Sequence, residues 1–476
     1  GPPVCRSHSG SSTGRCTIAS PLRAPDLSGL PPAIIVTAEY DILRDESEAY
    51  AERLRAAGVP VTFRQFDRQM HNFFAMPGAL PAQARAVDYV GEQIVRHLSK
   101  SSQADAVVVG AGFAGMYQLL RLREMGLKVR VIEAGDGVGG TWYWNRYPGA
   151  RCDIVSLGYS YGFSPELEQD WVWSEKYATQ PEILRYAEHV ADRFDLRKDI
   201  TFGTRVTRSV YDEDTGLWTV YTDAGEAISA QYLIMATGCL SVPKQPDIEG
   251  ADMFRGPTYI TGKWPHECVD FTGKRVAVIG TGSSAIQSIP LIAEQARSLT
   301  VYQRTPAYSL PAGNRPLTNA EISEMKEHYR EYREAQKYHP AGIPDPPRPT
   351  LSAHMVSEEE RRATYEAAWE TGILTALSGA YSDTLTDQQA NDWVSDFIRE
   401  KIADRVKDAE TAEALMPRSY PFATKRACLD SNYYETFNRE NVSLVDMRKT
   451  PIERITPSGI QTSAGEEAYD AIVFAT

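Results

Sequence analysis

The sequence has little of what would commit it to several common protein classes. Its 476 residues hold six cysteines, Cys5, Cys16, Cys152, Cys239, Cys268 and Cys428, and no two stand as C-x-x-C. That scatter argues against a disulfide scaffold and a zinc site, and it fits free thiols in a reducing cytoplasm. No metal centre is expected. No apolar run reaches the length of a membrane span, and no charged-then-apolar leader is present. Basic residues are in deficit, 50 Lys and Arg against 63 Asp and Glu for a net charge of −13, so no nucleic-acid partner is expected. What remains is an ordinary globular composition, 42% hydrophobic and 24% charged. At about 100–200 residues per domain that suggests two to four domains.

Local patterning divides the chain. Residues 1–28 are rich in Ser, Gly, Pro and Arg and read as a loop or disordered lead. Residues 29–98 read as strand Ala33–Thr37, helix Glu46–Ala57 ended by Gly58, strand Val61–Phe66 and helix Pro81–Leu98. Such a unit is too small for a complete α/β domain. The polar stretch 99–103 reads as a linker. Strands Ala106–Val109 and Arg275–Ile279 open two further units. A charged, helical insertion broken by Pro344-Asp345-Pro346-Pro347 fills 311–421, and Ala471–Thr476 reads as a buried strand cut off at its edge.

Each of the two later units opens on a dinucleotide fingerprint. Gly110-Ala111-Gly112-Phe113-Ala114-Gly115 follows a strand and precedes a helix, Met116 to Met125. Gly110 permits the tight turn, Gly112 lets backbone approach a pyrophosphate, and Gly115 lets helix and strand pack closely. The next strand ends at Glu133, about 20 residues on, and a carboxylate there suits the unphosphorylated ribose of FAD or NAD. The second fingerprint is Gly280-Thr281-Gly282-Ser283-Ser284-Ala285, and its next strand ends in Gln303-Arg304-Thr305. Arg304 would attract a 2′-phosphate by a charge-assisted hydrogen bond, which points to NADPH. Two nucleotide sites, FAD over 104–238 and NADPH over 239–310 and 422–476, imply a flavin enzyme that takes hydride from NADPH. The expected fold class is α/β, with two Rossmann-like domains, a helical insertion and the partial N-terminal unit.

Two further stretches are specific. Gly139-Gly140-Thr141-Trp142, with Tyr147-Pro148-Gly149 and Asp153, resembles a signature of Baeyer–Villiger monooxygenases. Phe254-x-Gly256 with Trp264-Pro265 resembles their fingerprint, with Ile260 where the family has histidine. The resemblance runs from about Asp105 to Thr476 and looks closest to the phenylacetone and steroid monooxygenase branch. It implies conversion of a ketone and O₂ to an ester or lactone through a C4a-peroxyflavin; an N- or S-oxygenating relative is the alternative. It implies Arg426 as the active-site arginine, Asp153 as the carboxylate that positions it, and Lys425 as a second 2′-phosphate contact. It places Ala114, Thr141, Trp142, Tyr143, Trp144, Arg151, Cys152, Asp153, Tyr159 and Val206 around FAD, and Ser283, Ser284, Gln287, Arg304 and Thr305 around NADPH. It also implies a further C-terminal segment.

Residues from about Ser20 to Leu98 resemble the C-terminal end of hormone-sensitive-lipase-type esterases. Asp41, in Ala38-Glu39-Tyr40-Asp41, and His71, in Met70-His71-Asn72, match the loops carrying the triad aspartate and histidine. Gly10-Ser11-Ser12-Thr13-Gly14 fits G-x-S-x-G, but without a strand before it and a helix after it there is no nucleophile elbow. No esterase activity is expected.

Overall fold

The computed structural model describes residues 22, 24–75, 81–97, 103–240, 242–339, 342 and 349–475. Cys5, Cys16, the Gly10–Gly14 stretch, most of the 99–103 linker, Pro344–Pro347 and Thr476 lie outside them. Contacts divide the chain into two compact units. One comprises Gly1–Val107, Leu122–Val129 and Val206–Leu233; the other comprises Val108–Arg121, Arg130–Arg205 and Ile234–Thr476.

The chain begins with β1 (Ala33–Tyr40), α1 (Arg44–Ala56), β2 (Val61–Met70) and α2 (Pro81–His97). β1 and β2 pair in parallel, in register from Ala33↔Val61 to Ala38↔Phe66, and then slip to Tyr40↔Met70. The slip falls at Arg68, whose φ is +59°, and the Arg68 N–H donates to the Glu39 carboxylate at 2.6 Å. Both strands run beyond the Thr37 and Phe66 ends that apolar alternation marks, because ladder pairing sets strand ends. Phe66, Phe73 and Ala86 centre one small core, and Leu27, Leu54 and Val59 another.

Next come β3 (Ala104–Val109), α3 (Phe113–Glu124) and β4 (Val129–Ile132). The helix starts at Phe113, a turn earlier than the sequence pattern suggests, because the fingerprint glycines themselves lead into it. Three helices follow: α4 (Thr141–Trp144), α5 (Pro165–Asp170) and α6 (Gln180–Arg193). Trp142, Trp173 and Tyr186 pack with Ile183 and Val190 into an aromatic core. β5 (Ile200–Thr201) pairs parallel to β4, and β6 (Val206–Asp212), β7 (Leu217–Thr222) and β8 (Ala227–Met235) form an antiparallel meander.

The rest is built on β9 (Thr258–Ile260), β10 (Arg275–Ile279), α7 (Ser283–Gln295) and β11 (Ser298–Gln303). After β12 (Ser309–Pro311) come α8 (Asn319–Tyr338), α9 (Glu358–Glu370), α10 (Gln388–Arg405) and α11 (Ala409–Leu415). β13 (Cys428–Asp430) pairs with β12, and α12 (Tyr433–Thr436) leads to β14 (Val442–Asp446). A small antiparallel sheet, β15 (Ile452–Ile455), β16 (Gly459–Thr462) and β17 (Gly465–Ala468), precedes β18 (Ala471–Phe474). Five strands form one parallel sheet in the order β14-β11-β10-β18-β9. Val276, Ala277, Val278 and Ile472 are fully buried, as a parallel sheet covered on both faces requires. The insertion helices begin at local caps. Thr318 with Glu321 and Ser357 with Glu360 form capping boxes on α8 and α9, and Asp387 caps α10. Among the described residues no helix is long and apolar enough to cross a membrane.

Candidate functional site

The first fingerprint joins β3 to α3 through a turn that tolerates no side chains. Gly110 has φ +104°, and a Cβ there would stand 2.6 Å from the Ala236 carbonyl oxygen. A Cβ on Gly115 would overlap the Gly110 carbonyl. Gly112 faces Gly140, whose Cα would lie 3.4 Å from an added Cβ. Backbone therefore approaches backbone at the N-terminus of α3, leaving a cradle of N–H groups suited to a pyrophosphate. Ala114 is exposed at the start of the helix. Glu133 ends β4 buried, and its carboxylate accepts the Ala111 N–H at 2.6 Å and the Gly135 N–H at 2.7 Å. The expected ribose partner thus also braces the loop.

The Gly139–Asp153 run packs against the same loop. Thr141 is exposed, while Trp142 and Tyr143 are buried. Trp142 Nε1 donates to the Tyr159 hydroxyl at 3.0 Å, and the Tyr143 hydroxyl accepts the Asp136 N–H at 3.0 Å. The rings of Tyr143 and Trp144 meet edge to face at 4.9 Å. Arg151 reaches Glu175 and donates to the Tyr177 carbonyl at 2.7 Å. Burial pushes the Cys152 thiol up to about 12, so it is an inert packing group. Val206 lies in the other compact unit, at the start of β6.

The second fingerprint is more open. Gly280 has φ +117°, and a Cβ there would overlap the Ala475 carbonyl, but a Cβ on Gly282 would meet nothing within 4 Å. Ser283 is exposed at the first turn of α7, and Ser284 shares a 3.1 Å hydrogen bond with Thr261. Arg304 is exposed and makes no hydrogen bond or ion pair with another described residue. The Thr305 carbonyl accepts from Thr281 at 3.0 Å. Lys425 lies 4.6 Å over the Tyr420 ring, and the Tyr420 hydroxyl donates to the Pro306 carbonyl at 3.0 Å. Lys425 is thus perched on a residue pinned two positions beyond Arg304. The amide of Gln287, expected at the phosphates, bridges to the signature run: it accepts from the Tyr147 hydroxyl at 2.9 Å and the Arg151 N–H at 3.3 Å. It donates to the Arg151 carbonyl at 3.0 Å.

Arg426 and Asp153, 273 positions apart, form a bidentate pair, with Nη2 to Oδ1 at 2.7 Å and Nε to Oδ2 at 3.0 Å. The arginine side chain remains 63% exposed and the carboxylate side chain 20%, so one edge of the guanidinium is held while the rest stays free to meet an anion. Beside Asp153 a small cavity is walled by Ile154, Ile373 and Leu374. Ile373 and Leu374 come from the helical insertion, and no local sequence signal marks them. Ile260 ends β9, pairs with Phe474, and packs against the core cluster that contains Ile472. His266, just past Trp264-Pro265, stands edge-on to Tyr143 at 4.9 Å. In the N-terminal segment His71 Nδ1 lies 2.7 Å from Asp41 Oδ1. Partial burial works to raise the Asp41 pKa, but hydrogen bonds from the Leu43 N–H and His71 outweigh it and hold the carboxyl low.

Comparison with known proteins adds to this geometry. The sequence profile of the alpha/beta hydrolase fold matches residues 7–75, and that of the pyridine nucleotide-disulphide oxidoreductases matches 107–343. The 2-oxo-Δ3-4,5,5-trimethylcyclopentenylacetyl-CoA monooxygenase of Pseudomonas putida is 44% identical over 388 residues, 79% of this chain and 70% of that protein. An oxidized steroid monooxygenase bound to NADP superposes with TM-score 0.75 at 56% identity, covering 78% of this chain and 71% of the other. OTEMO in complex with FAD and NADP superposes with TM-score 0.77 at 43% identity, covering 79% and 72%. Glycine cradles, an acidic and a basic strand end, and a carboxylate-held arginine fit the two cofactors found in these structures. At this identity over more than two thirds of its relatives' length, the chain belongs to the Baeyer–Villiger family of FAD- and NADPH-dependent monooxygenases.

Proposed function

We propose that this chain inserts oxygen beside a ketone carbonyl using Arg426 as the charged group at the reacting atoms, with Arg304 and Lys425 selecting NADPH. The observation that carries the reading is the bidentate Arg426–Asp153 pair with its free guanidinium face. FAD, when bound, accepts hydride from NADPH and activates O₂. Arg426 brings a guanidinium cation that can hold the oxyanion that develops on the ketone oxygen. Asp153 fixes the plane of the guanidinium. Ile154, Ile373 and Leu374 offer the ketone an apolar wall that excludes water. Glu133 and the loop amides would hold the FAD ribose and pyrophosphate. The division into an FAD part (104–238) and an NADPH part (239–310 and 422–476) interrupted by 311–421 is supported by α8 to α11 lying within the insertion. Four free cysteines among the described residues support a reducing, cytoplasmic setting. For the N-terminal segment we infer the end of a hydrolase fold that carries the triad aspartate and histidine, supported by the Asp41–His71 pair.

The test compares product with cofactor consumption. On the flavin-loaded chain, Arg426→Ala should still oxidise NADPH but form ester about 10²–10³ times more slowly, the usual cost of one preorganised charge. A sulfide and a tertiary amine offered beside the ketone test the alternative. Ester formation at the parental rate in Arg426→Ala, or faster turnover of amine or sulfide by the parent, would overturn the reading.

A further inference from the structure

The loop that carries Lys425 and Arg426 is not held in place by its own sequence. Phe422 is buried, and β13 begins only at Cys428, so the Phe422 backbone has no sheet partner. Ala423 has φ +66°, a region L side chains seldom adopt. Within the loop, Thr424 Oγ1 donates to the Pro421 carbonyl at 2.7 Å. Lys425 and Arg426 are both exposed and, among the described residues, meet only the Tyr420 ring and the Asp153 carboxylate, so their direction depends on where the backbone of the loop is held.

The missing partner is on α10. Asn391 is buried, and its carboxamide meets Phe422 as a neighbouring strand would. The Phe422 N–H donates to Asn391 Oδ1 at 2.9 Å, and Asn391 Nδ2 donates to the Phe422 carbonyl at 3.0 Å. The second Nδ2 hydrogen goes to the Thr384 carbonyl at 3.0 Å, and Oδ1 also accepts the Ser395 hydroxyl at 3.2 Å. All four hydrogen-bonding positions of the amide are therefore used. Aspartate could offer only acceptors, and leucine neither donor nor acceptor, leaving buried backbone groups unpaired.

We propose that Asn391 is a positioning residue for the active-site loop, bonding both backbone groups of Phe422 so that Arg426 meets Asp153 and Lys425 faces the NADPH side. The proposal deepens the reading of Arg426 and Lys425 given above and rests on it. It gives the helical insertion a second role beside the Ile373–Leu374 wall, through the side chain of Asn391.

The test uses the full chain with Asn391→Leu, Asn391→Asp and, as a control, Ser395→Ala, which removes a bond to Asn391 but none to the loop. Trypsin cuts after Lys425 and Arg426, and its rate there reports how often the loop opens. Both Asn391 variants should be cut at these bonds about tenfold faster than the parent, relative to cleavage at exposed sites elsewhere, at a similar melting temperature. With flavin loaded, ester formed per NADPH consumed should fall about tenfold and the NADPH preference over NADH should shrink, while Ser395→Ala stays near parental. If Asn391→Leu does not fold, Asn391→Asp carries the test, since it keeps the acceptor and loses both donors. Parental cleavage, coupling and cofactor preference in Asn391→Asp would overturn the proposal. So would losses matched by the melted fraction. Arg426→Ala measured alongside separates the two readings. If it couples normally the arginine assignment fails, yet faster trypsin cleavage and weaker NADPH preference in the Asn391 variants would still support the positioning role.

Discussion

The two dinucleotide openings share one backbone device and diverge in everything around it. Gly110 and Gly280 both adopt positive φ, and each lies where a Cβ would strike a carbonyl of a crossing strand end, Ala236 in one case and Ala475 in the other. Beyond that turn the first loop is closed by its own chain. Gly112 faces Gly140, Gly115 sits on the Gly110 carbonyl, and Glu133 ties down two loop amides. The second is open: Gly282 faces space, the third position is a buried Ala285, and the strand ends in an exposed Arg304. The difference suits one nucleotide held throughout turnover and another that enters and leaves.

The comparison breaks most sharply at the third fingerprint position. Gly115→Ala should destabilise the fold by about 3 kcal/mol, since the obstacle is backbone that cannot step aside. Ala285→Gly should cost only about 1 kcal/mol, the ordinary price of glycine in a helix. Chemical denaturation of the two variants reads the asymmetry, and equal losses would mean that the loops are packed alike.

Charge at the strand ends gives the next effect. Arg304→Ala should weaken NADPH binding by about 1–3 kcal/mol, the worth of a hydrogen bond to a charged group, and leave NADH unchanged. Calorimetric titration with both nucleotides decides it. An equal loss for NADH would show that Arg304 does not read the 2′-phosphate.

The smallest effect concerns how the strands are clipped in place. In the first unit the Lys128 N–H donates to Asp105 at 2.6 Å. In the second, Asp470 accepts the Arg275 N–H at 2.8 Å and also its guanidinium. Hydrogen bonds from the Arg275 side chain, then from its backbone, hold the Asp470 carboxyl down to about 2. A carboxylate with a depressed folded pKa stabilises above its unfolded value and loses that contribution as pH falls through the folded one. Stability should therefore drain away between about pH 4 and pH 2 by less than about 1 kcal/mol, given the exposure of the pair. Asp470→Asn should remove that part of the pH dependence. A variant melting curve that falls as steeply as the parent's would assign the loss to other carboxylates.

Much of this was legible in sequence because it is local. A strand, three glycines and a helix follow one another in a single stretch, Ala104 to Glu124, and the chemistry of the turn dictates those residue types. Glu133 and Arg304 follow at a fixed chain distance from their loops. Strand ends were less legible: β1 and β2 continue to Tyr40 and Met70 because a partner strand is present and a slip at Arg68 is tolerated. Gln287 lies on the expected helix, but its amide faces Tyr147 and Arg151, a partnership that spans 136 to 140 positions. Asn391 carries no signal at all, since a buried asparagine in a helix looks like any polar residue until its four partners are seen.

The sequence by itself determined the two glycine turns, the sign of charge at each strand end and the residue types of the Asp153–Arg426 pair. Those properties depend on covalent neighbours and on residue type. Only the tertiary structure decided that Asp153 grips Arg426 across 273 positions, that Asn391 stands in for a strand beside Phe422, and that Ile373 and Leu374 wall the cavity. Hydrogen bonds and burial act over about 3–4 Å of space, and which residues come that close is set by how helices and sheets pack, not by their distance along the chain.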